Sequence, residues 1–420
     1  VSVETIEGFL RAGLDGRAGV FLRFGGASIV FSALAVLWRR TLSLEACVWA
    51  QVATSLVLLS LLATPAVTVS LVVHAVVLFL VIEWLPPGHP RTALVVAMLV
   101  THVAIPVLWF PMLPDYGPKV RELVAFATNA GFLRAWSWAR DRHRLPGRGV
   151  ALLRDYAFYT FFLPSFVNGP FFSPIELDQR RTPSPDRAPL PEGGPAYAIR
   201  RILIGLAAAA GAMLVIGVLT PDAYRQAAAG STWHAWGHAM AVYLSFYLGF
   251  TAWTEAGIGF AALAGLRLPE NFDRPHLAYG LADFWRRWNV TLGRWMLLYV
   301  YLPLAPRGRP TRAFAWYGTA AVFSSVAVYH LLGGLKLLGP GLASMPGFWI
   351  PWLVWAGLNT VGVRLTQTWQ APAALTPGAL LVALATVGVA ALGMTIVFFP
   401  IELPLDLLGT TVARMLIPTR

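Results

Sequence analysis

The chain has 420 residues, 57% of them hydrophobic and only 12% charged. Soluble domains carry about 25% charged residues, so half the usual water-facing charge is missing and a water-soluble globular fold is excluded. The net charge is +12, yet no stretch reads as a nucleic-acid-binding module, and the single cysteine, Cys47, excludes an intrachain disulfide.

The segment 1–23 mixes charges with apolar residues at Val3, Ile6, Phe9, Leu10 and Leu14, a spacing that predicts an amphipathic helix lying on a membrane. It carries both charge signs and no small-residue cleavage site, so no cleavable leader is expected. Apolar stretches follow at 24–38, 43–62, 66–85 and 91–113, broken by Arg39-Arg40, Pro65 and Pro86-Pro87. Each approaches the length a helix needs to cross hydrocarbon, about 20 residues. From Tyr116 to Arg148 the chain is basic and rich in tryptophan, which predicts an interfacial helix entering a loop.

The apolar stretch from Val150 to Leu177 holds Pro164, Gly169, Pro170 and Pro174, too many breakers for one straight span. Arginine clusters flank it on both sides, so it is expected to enter the membrane and return. Tyr159 and Asn168 border it as candidate pocket residues. A proline-rich polar loop covers 178–198. Spans then resume at 199–219, 235–264, 295–305, 313–338, 346–364 and 375–399, with a short amphipathic tail. The expectation is one all-α polytopic domain over 1–420, with roughly ten to twelve membrane helices and one broken or re-entrant element.

Of the 32 basic residues only Lys119 and Lys336 are lysines. The arginine excess fits either a phosphate-bearing partner gripped by guanidinium forks or loops obeying the positive-inside bias beside anionic lipid.

Eight histidines are present, and His74, His102 and His330 lie deep in apolar runs. Ionisable groups at membrane depth mark candidate functional sites, although a neutral histidine bonded between helices also occurs. His330 lies in VFSSVAVYHLLGGL, whose small residues let a ligand or helix approach the backbone. His234 and His238, four residues apart, share a helix face. Glu255 lies more than four turns on, so no metal site is expected. Glu255 itself reads as a helix-packing carboxylate.

The run from Glu270 to Leu304 sets Asp273, Asp283, Asn289 and arginines among aromatics at the edge of a span. An interfacial aromatic belt has that composition. Asn289, however, falls where an apolar helix begins, so its amide needs a partner at depth. Asp283 is spaced to pair with Arg286 or Arg287 and cap this helix.

This run resembles the hallmark region of the membrane-bound O-acyltransferases. The matching residues are Asn271-Phe272, Pro275, the unbroken Asp283-Phe284-Trp285-Arg286-Arg287-Trp288-Asn289, Trp295, and Tyr299-Val300-Tyr301-Leu302-Pro303-Leu304. Upstream, Phe161-Phe162-Leu163-Pro164 through Gly169-Pro170 is similar to a second element of the family. The resemblance makes 150–335 the motif-bearing catalytic core. It implies transfer of an acyl group from a thioester to a hydroxyl of a lipid or glycan, with O-acetylation of an extracytoplasmic polysaccharide as the narrower alternative. A transporter or flippase on the same scaffold is the alternative from another class.

The resemblance also implies roles. The family's catalytic histidine falls on His330, which lies 41 residues (330 − 289) after Asn289, the family's paired Asn or His. Asp283, Trp285, Arg286, Arg287, Trp288, Tyr329, Asn168, Gly169 and Pro170 would bind substrates. Arg286 and Arg287 could hold the phosphates of coenzyme A or anchor the interface. Two departures stand out: bacterial members that acylate surface polysaccharides often carry His at position 289, and Trp and Gly where this chain has Tyr329 and Leu331. The expected co-substrate is acyl-CoA or an acyl carrier protein, with no tightly bound cofactor. Membrane lipids would surround the chain as a multi-pass protein of the cell inner membrane. No serine or cysteine sits in a nucleophile motif, so direct transfer is expected, with His330 as base and Asn289 as hydrogen-bond donor.

Overall fold

The computed structural model describes residues 17–86, 88–113, 117–147, 149–167, 169–181, 194–219, 221–306, 311–338, 346–370, 372, 376–398 and 405–417. Most of the amphipathic segment expected over 1–23, and Asn168, lie outside the described residues, as does the His102 side chain.

The described chain is helical. Its longer helices are α1 (Arg17–Thr41), α2 (Leu44–Leu62), α3 (Pro65–Trp84), α4 (His89–Ala104), α5 (Pro118–Asp141), α6 (Gly149–Phe161) and α7 (Gly194–Gly217). They continue as α8 (Pro221–Ala229), α9 (Thr232–Leu263), α10 (Leu281–Arg287), α11 (Val290–Leu304), α12 (Arg312–Leu338), α13 (Pro346–Thr366), α14 (Pro377–Val397) and α15 (Leu405–Leu416). Among the described residues, seven helices are long and apolar enough to cross a membrane: six within α1–α4, α7 and α12, where α4 counts with its π extension, and α14. The remaining apolar stretches fold as helices too, apart from the irregular backbone after Phe161, so the chain is an all-α polytopic membrane protein.

Helix starts follow local chemistry. Thr64 and Thr376 each precede a proline and cap their helix, accepting from Val67 N and Ala379 N at 3.2 Å. A hydroxyl cap followed by proline at the first helical position satisfies one orphan N–H and removes another. Ser43 caps α2 in the same way, through Ala46 N at 3.4 Å.

The described residues form two compact units. The first takes the described residues within Val1–Leu206, Trp253–Pro269 and Leu332–Pro340; the second takes those within Ala207–Ala252, Glu270–Leu331 and Gly341–Arg420. The motif-bearing stretch 150–335 contributes residues to both.

The first unit packs around Phe31, Trp138, Tyr156, Phe162, Leu163 and their neighbours. Here the chain breaks as its prolines predict: α6 ends at Phe161, and the backbone continues irregularly through short turns at Leu163–Ser165 and Pro174–Glu176, with a cis Gly169-Pro170 bond between them. Irregular backbone at membrane depth must find its hydrogen bonds in protein. Arg134 of α5, only 3% exposed, supplies them. It donates to the carbonyls of Ser165, of Phe166 at 3.3 Å and of Thr160 at 3.5 Å, and to Ser165 Oγ at 3.2 Å. Leu163 N donates to Ser55 Oγ at 3.3 Å, and Tyr159 Oη donates to the Phe172 carbonyl at 2.8 Å. Gly257 lets α9 approach this segment, since a Cβ there would lie 2.7 Å from the Pro164 carbonyl oxygen. Glu255, two residues before Gly257, pairs with Arg201 at 2.7 Å. His74 borders a separate small cavity in this unit, between α3, α5 and α6.

The second unit packs around Ala239, Tyr243, Phe284, Trp288, Ala391 and Met394, with a neighbouring aromatic cluster at Phe323, Trp352 and Trp355. In it, His238 lies edge-on to Tyr224 at 4.1 Å, and His234 Nδ1 meets Ser231 Oγ at 3.0 Å.

Candidate active site

The site sits in the second unit and begins with a kink. Helix α10 ends at Arg287, Trp288 is extended, and Asn289 takes the left-handed conformation at φ 45°, ψ 51° before α11 starts. Such backbone is costly for most side chains, and among non-glycine residues Asn, Asp and His adopt it most readily. The kink is held from outside. Asn271 accepts Val290 N at its carbonyl at 2.9 Å, and its Oδ1 accepts Thr291 Oγ1 at 2.6 Å and Thr291 N at 3.4 Å. Asp273 N donates to the Arg287 carbonyl at 2.9 Å. The Arg287–Trp288 and Asn289–Val290 peptides are therefore tied to the preceding loop, and the Asn289 side chain is left to face elsewhere.

It faces a chamber of about 110 Å³ lined by residues of α9 to α14. The walls are Phe246, Phe250, Leu292, Met296, Phe323, Val326, Met394, Phe398 and four tryptophans, among others. Apart from the indoles, the polar side chains among its lining residues are two: Asn289 and His330. Residues 41 positions apart (330 − 289) thus open into one apolar space.

The imidazole of His330 is oriented by two contacts. Its Nδ1 lies 2.8 Å from the Val326 carbonyl, one turn back on α12. A carbonyl only accepts, so Nδ1 carries the proton, and in the neutral ring Nε2 keeps its lone pair. The ring plane lies 15° from that of Trp352 at a centroid distance of 4.7 Å. The result is a half-buried imidazole with a fixed tautomer and a fixed plane, presenting a base into a space with few competing polar groups.

The other expected site residues divide. Trp285 and Trp288 line the chamber with Asn289 and His330. Asp283, Arg286 and Arg287 are not among its lining residues. Asp283 Oδ2 accepts Tyr279 N at 3.0 Å and Arg287 Nε at 2.9 Å, closing the first turn of α10 as its spacing predicts. Arg286 lies 3.6 Å from Asp283 with its side chain 60% exposed. Tyr329 sets its ring edge-on to His330 at 5.2 Å without lining the chamber. Gly169 and Pro170 fold in the first unit, in the irregular segment held by Arg134. What the motif did not point to is the far side of the chamber: Trp352 and Trp355 of α13, and Met394, Val397 and Phe398 at the end of α14. Trp352, Trp355 and Asn359 recur at helical spacing, the one trace of this face in the sequence.

Comparison with known proteins converges on the same stretch. Residues 148–334 match the sequence model of the membrane-bound O-acyltransferase family. A probable alginate O-acetylase of Pseudomonas fluorescens is 30% identical over 105 residues, 25% of this chain and 20% of that protein. The peptidoglycan O-acetyltransferase of Helicobacter pylori is 36% identical over 70 residues, 17% of this chain and 13% of the relative. The teichoic acid D-alanyltransferase of Bacillus subtilis is 33% identical over 73 residues, 17% of this chain and 18% of the relative. The matches thus span a fifth or less of these relatives' own length. The segment that matches this family's sequence model, 148–334, carries both chamber residues, Asn289 and His330.

Proposed function

We propose that the protein is an acyltransferase of the cell inner membrane that moves a short acyl group from a thioester to a hydroxyl of a glycan. One observation carries the reading: an amide and an imidazole with a free Nε2 are the polar side chains of an otherwise apolar and aromatic chamber. The acceptor hydroxyl oxygen attacks the thioester carbonyl carbon while His330 Nε2 takes the hydroxyl proton. Asn289 Nδ2 donates to the oxygen that becomes negative. The carbon–sulfur bond then breaks, the ester forms, and the leaving thiolate recovers the proton from His330 as a thiol. A positioned base contributes about 10²–10⁴-fold and one oxyanion donor about 10²–10³-fold. The apolar walls exclude water, which would otherwise hydrolyse the thioester.

A glycan is favoured over a lipid acceptor because the named relatives act on alginate, peptidoglycan and teichoic acid. The donor is acyl-CoA or an acyl carrier protein. The test is thiol release from acetyl-CoA by the purified chain, with unacetylated alginate, peptidoglycan strands or teichoic acid as acceptor. Release that depends on one of these acceptors is the expected result. A chain that releases no thiol with any of them, or releases it equally without acceptor, contradicts the reading.

A further inference from the structure

Helix α13 carries a buried amide that does not reach the chamber. Asn359 is 6% exposed and lies beyond residues 148–334, the segment shared with the family. Both ends of its side chain are occupied. Nδ2 donates to the Trp355 carbonyl at 2.9 Å, one turn back on its own helix. That bond orients the amide, so Oδ1 points toward α10 and accepts Trp285 Nε1 at 2.7 Å.

Trp285 in turn belongs to a three-ring wall. It lies edge-on to Phe323 at 5.6 Å and to Trp355 at 5.5 Å, and those two rings lie edge-on to each other at 5.7 Å. Trp355 meets Trp352 edge-on at 5.7 Å, and Trp352 is the ring on which His330 stacks. Apolar burial is non-directional, and edge-on ring pairs tolerate centroid separations from about 4.5 to 7 Å. Packing alone therefore leaves such a wall free to slide. A hydrogen bond has a much narrower range of length and angle, and the one between Asn359 and Trp285 gives the wall a fixed point.

We propose that Asn359 is a positioning residue. By holding Trp285 it locks the aromatic wall in the register that sets the plane of the His330 imidazole. The inference rests on His330 acting as the base of acyl transfer. A buried asparagine that merely glued two helices would affect folding; one that positions the wall affects turnover.

The experiment is steady-state kinetics of the full chain with acetyl-CoA and whichever glycan acceptor supports turnover. Asn359→Leu should lower kcat about tenfold while KM for acetyl-CoA stays within about twofold, since small misplacements of a reacting group act on turnover. Asn359→Asp, held as the neutral acid in this buried place, can donate its O–H to the Trp355 carbonyl and accept the indole at its other oxygen, and should recover to within about threefold of wild type. Trp285→Phe removes the donor, and the Trp285→Phe/Asn359→Leu double variant should be no slower than the slower single, as expected of two partners in one bond. Wild-type kcat in Asn359→Leu, losses that multiply in the double variant, or an Asp variant as slow as the Leu variant would each overturn the proposal. Should Asn359→Leu fail to fold, Asn359→Asp and Trp285→Phe decide: a fast Asp variant with a slow Phe variant supports it, and the reverse overturns it. A wild-type chain without acetyl transfer sinks the functional reading itself, which differs from an active wild type indifferent to Asn359.

Discussion

Asn289 combines two demands that few side chains meet together, a left-handed backbone and a hydrogen-bonding group turned into the chamber. Asn and His, the two residues that the resemblance implies at this place, both tolerate the conformation. Glycine satisfies the backbone but brings no amide; alanine satisfies neither. Asn289→Gly should therefore keep the melting temperature in detergent near wild type while turnover falls about 10²–10³-fold. Asn289→Ala should lose the same turnover and about 1 kcal/mol of stability besides. Equal stability of the two variants would remove the backbone argument. His330→Ala is expected to lose at least about 10²-fold in turnover with stability nearly unchanged, and wild-type turnover in that variant would take the imidazole out of the mechanism. At this scale the sequence was informative where a motif concentrated it: positions 289 and 330 could be picked out before any coordinates. Asp283, Arg286 and Arg287 stand in the same motif, yet they serve the turn of α10 and line no part of the chamber. Spacing names the residues of a motif without saying which way each one points.

The broken element shows how a membrane protein accommodates backbone that is not helical. Proline and glycine made the break after α6 legible; what satisfies it was not, because Arg134 lies 31 residues before Ser165 and on another helix. With its guanidinium removed, several carbonyls and the Ser165 hydroxyl lose a donor in a place water does not reach. Each unsatisfied buried group costs about 1–3 kcal/mol, so Arg134→Leu should lower the melting temperature by many degrees or prevent folding. Stability equal to wild type would show that other donors suffice. Gly257→Ala tests the same element from the opposite side. Its added methyl would meet the Pro164 carbonyl at 2.7 Å, and overpacking of this kind costs about 1–3 kcal/mol. Helix α13 offers the complementary lesson. Trp352, Trp355 and Asn359 fall on one helical face, the two indoles lining the chamber and the amide bonding Trp285 behind it, but tryptophan at a membrane edge is so common that the pattern carries no signal until α10 and α12 are set beside it.

For the molecule as a whole, hydropathy and helix breakers were enough to place most of the longer helices among the described residues. The stretch read over 66–85 is the helix Pro65–Trp84, that over 346–364 is Pro346–Thr366, and that over 375–399 is Pro377–Val397. The agreement has a physical origin: hydrocarbon thickness fixes the length, and Thr-Pro and Pro-Pro junctions fix the ends. The division of the described residues into two compact units left no mark in the sequence, since each unit gathers three separate stretches of chain and the single helices α7, α9 and α12 give residues to both. The chamber is likewise a property of the fold, drawing on six helices from α9 to α14. Its central claim, that Asn289 and His330 share one space, is open to a direct measurement because the chain has a single cysteine, Cys47. In a Cys47→Ser background, Asn289→Cys and His330→Cys together should be bridged by a short bifunctional thiol reagent, giving an internal cross-link detectable by mass spectrometry. A pair that each react singly with the reagent yet never become bridged would contradict the account.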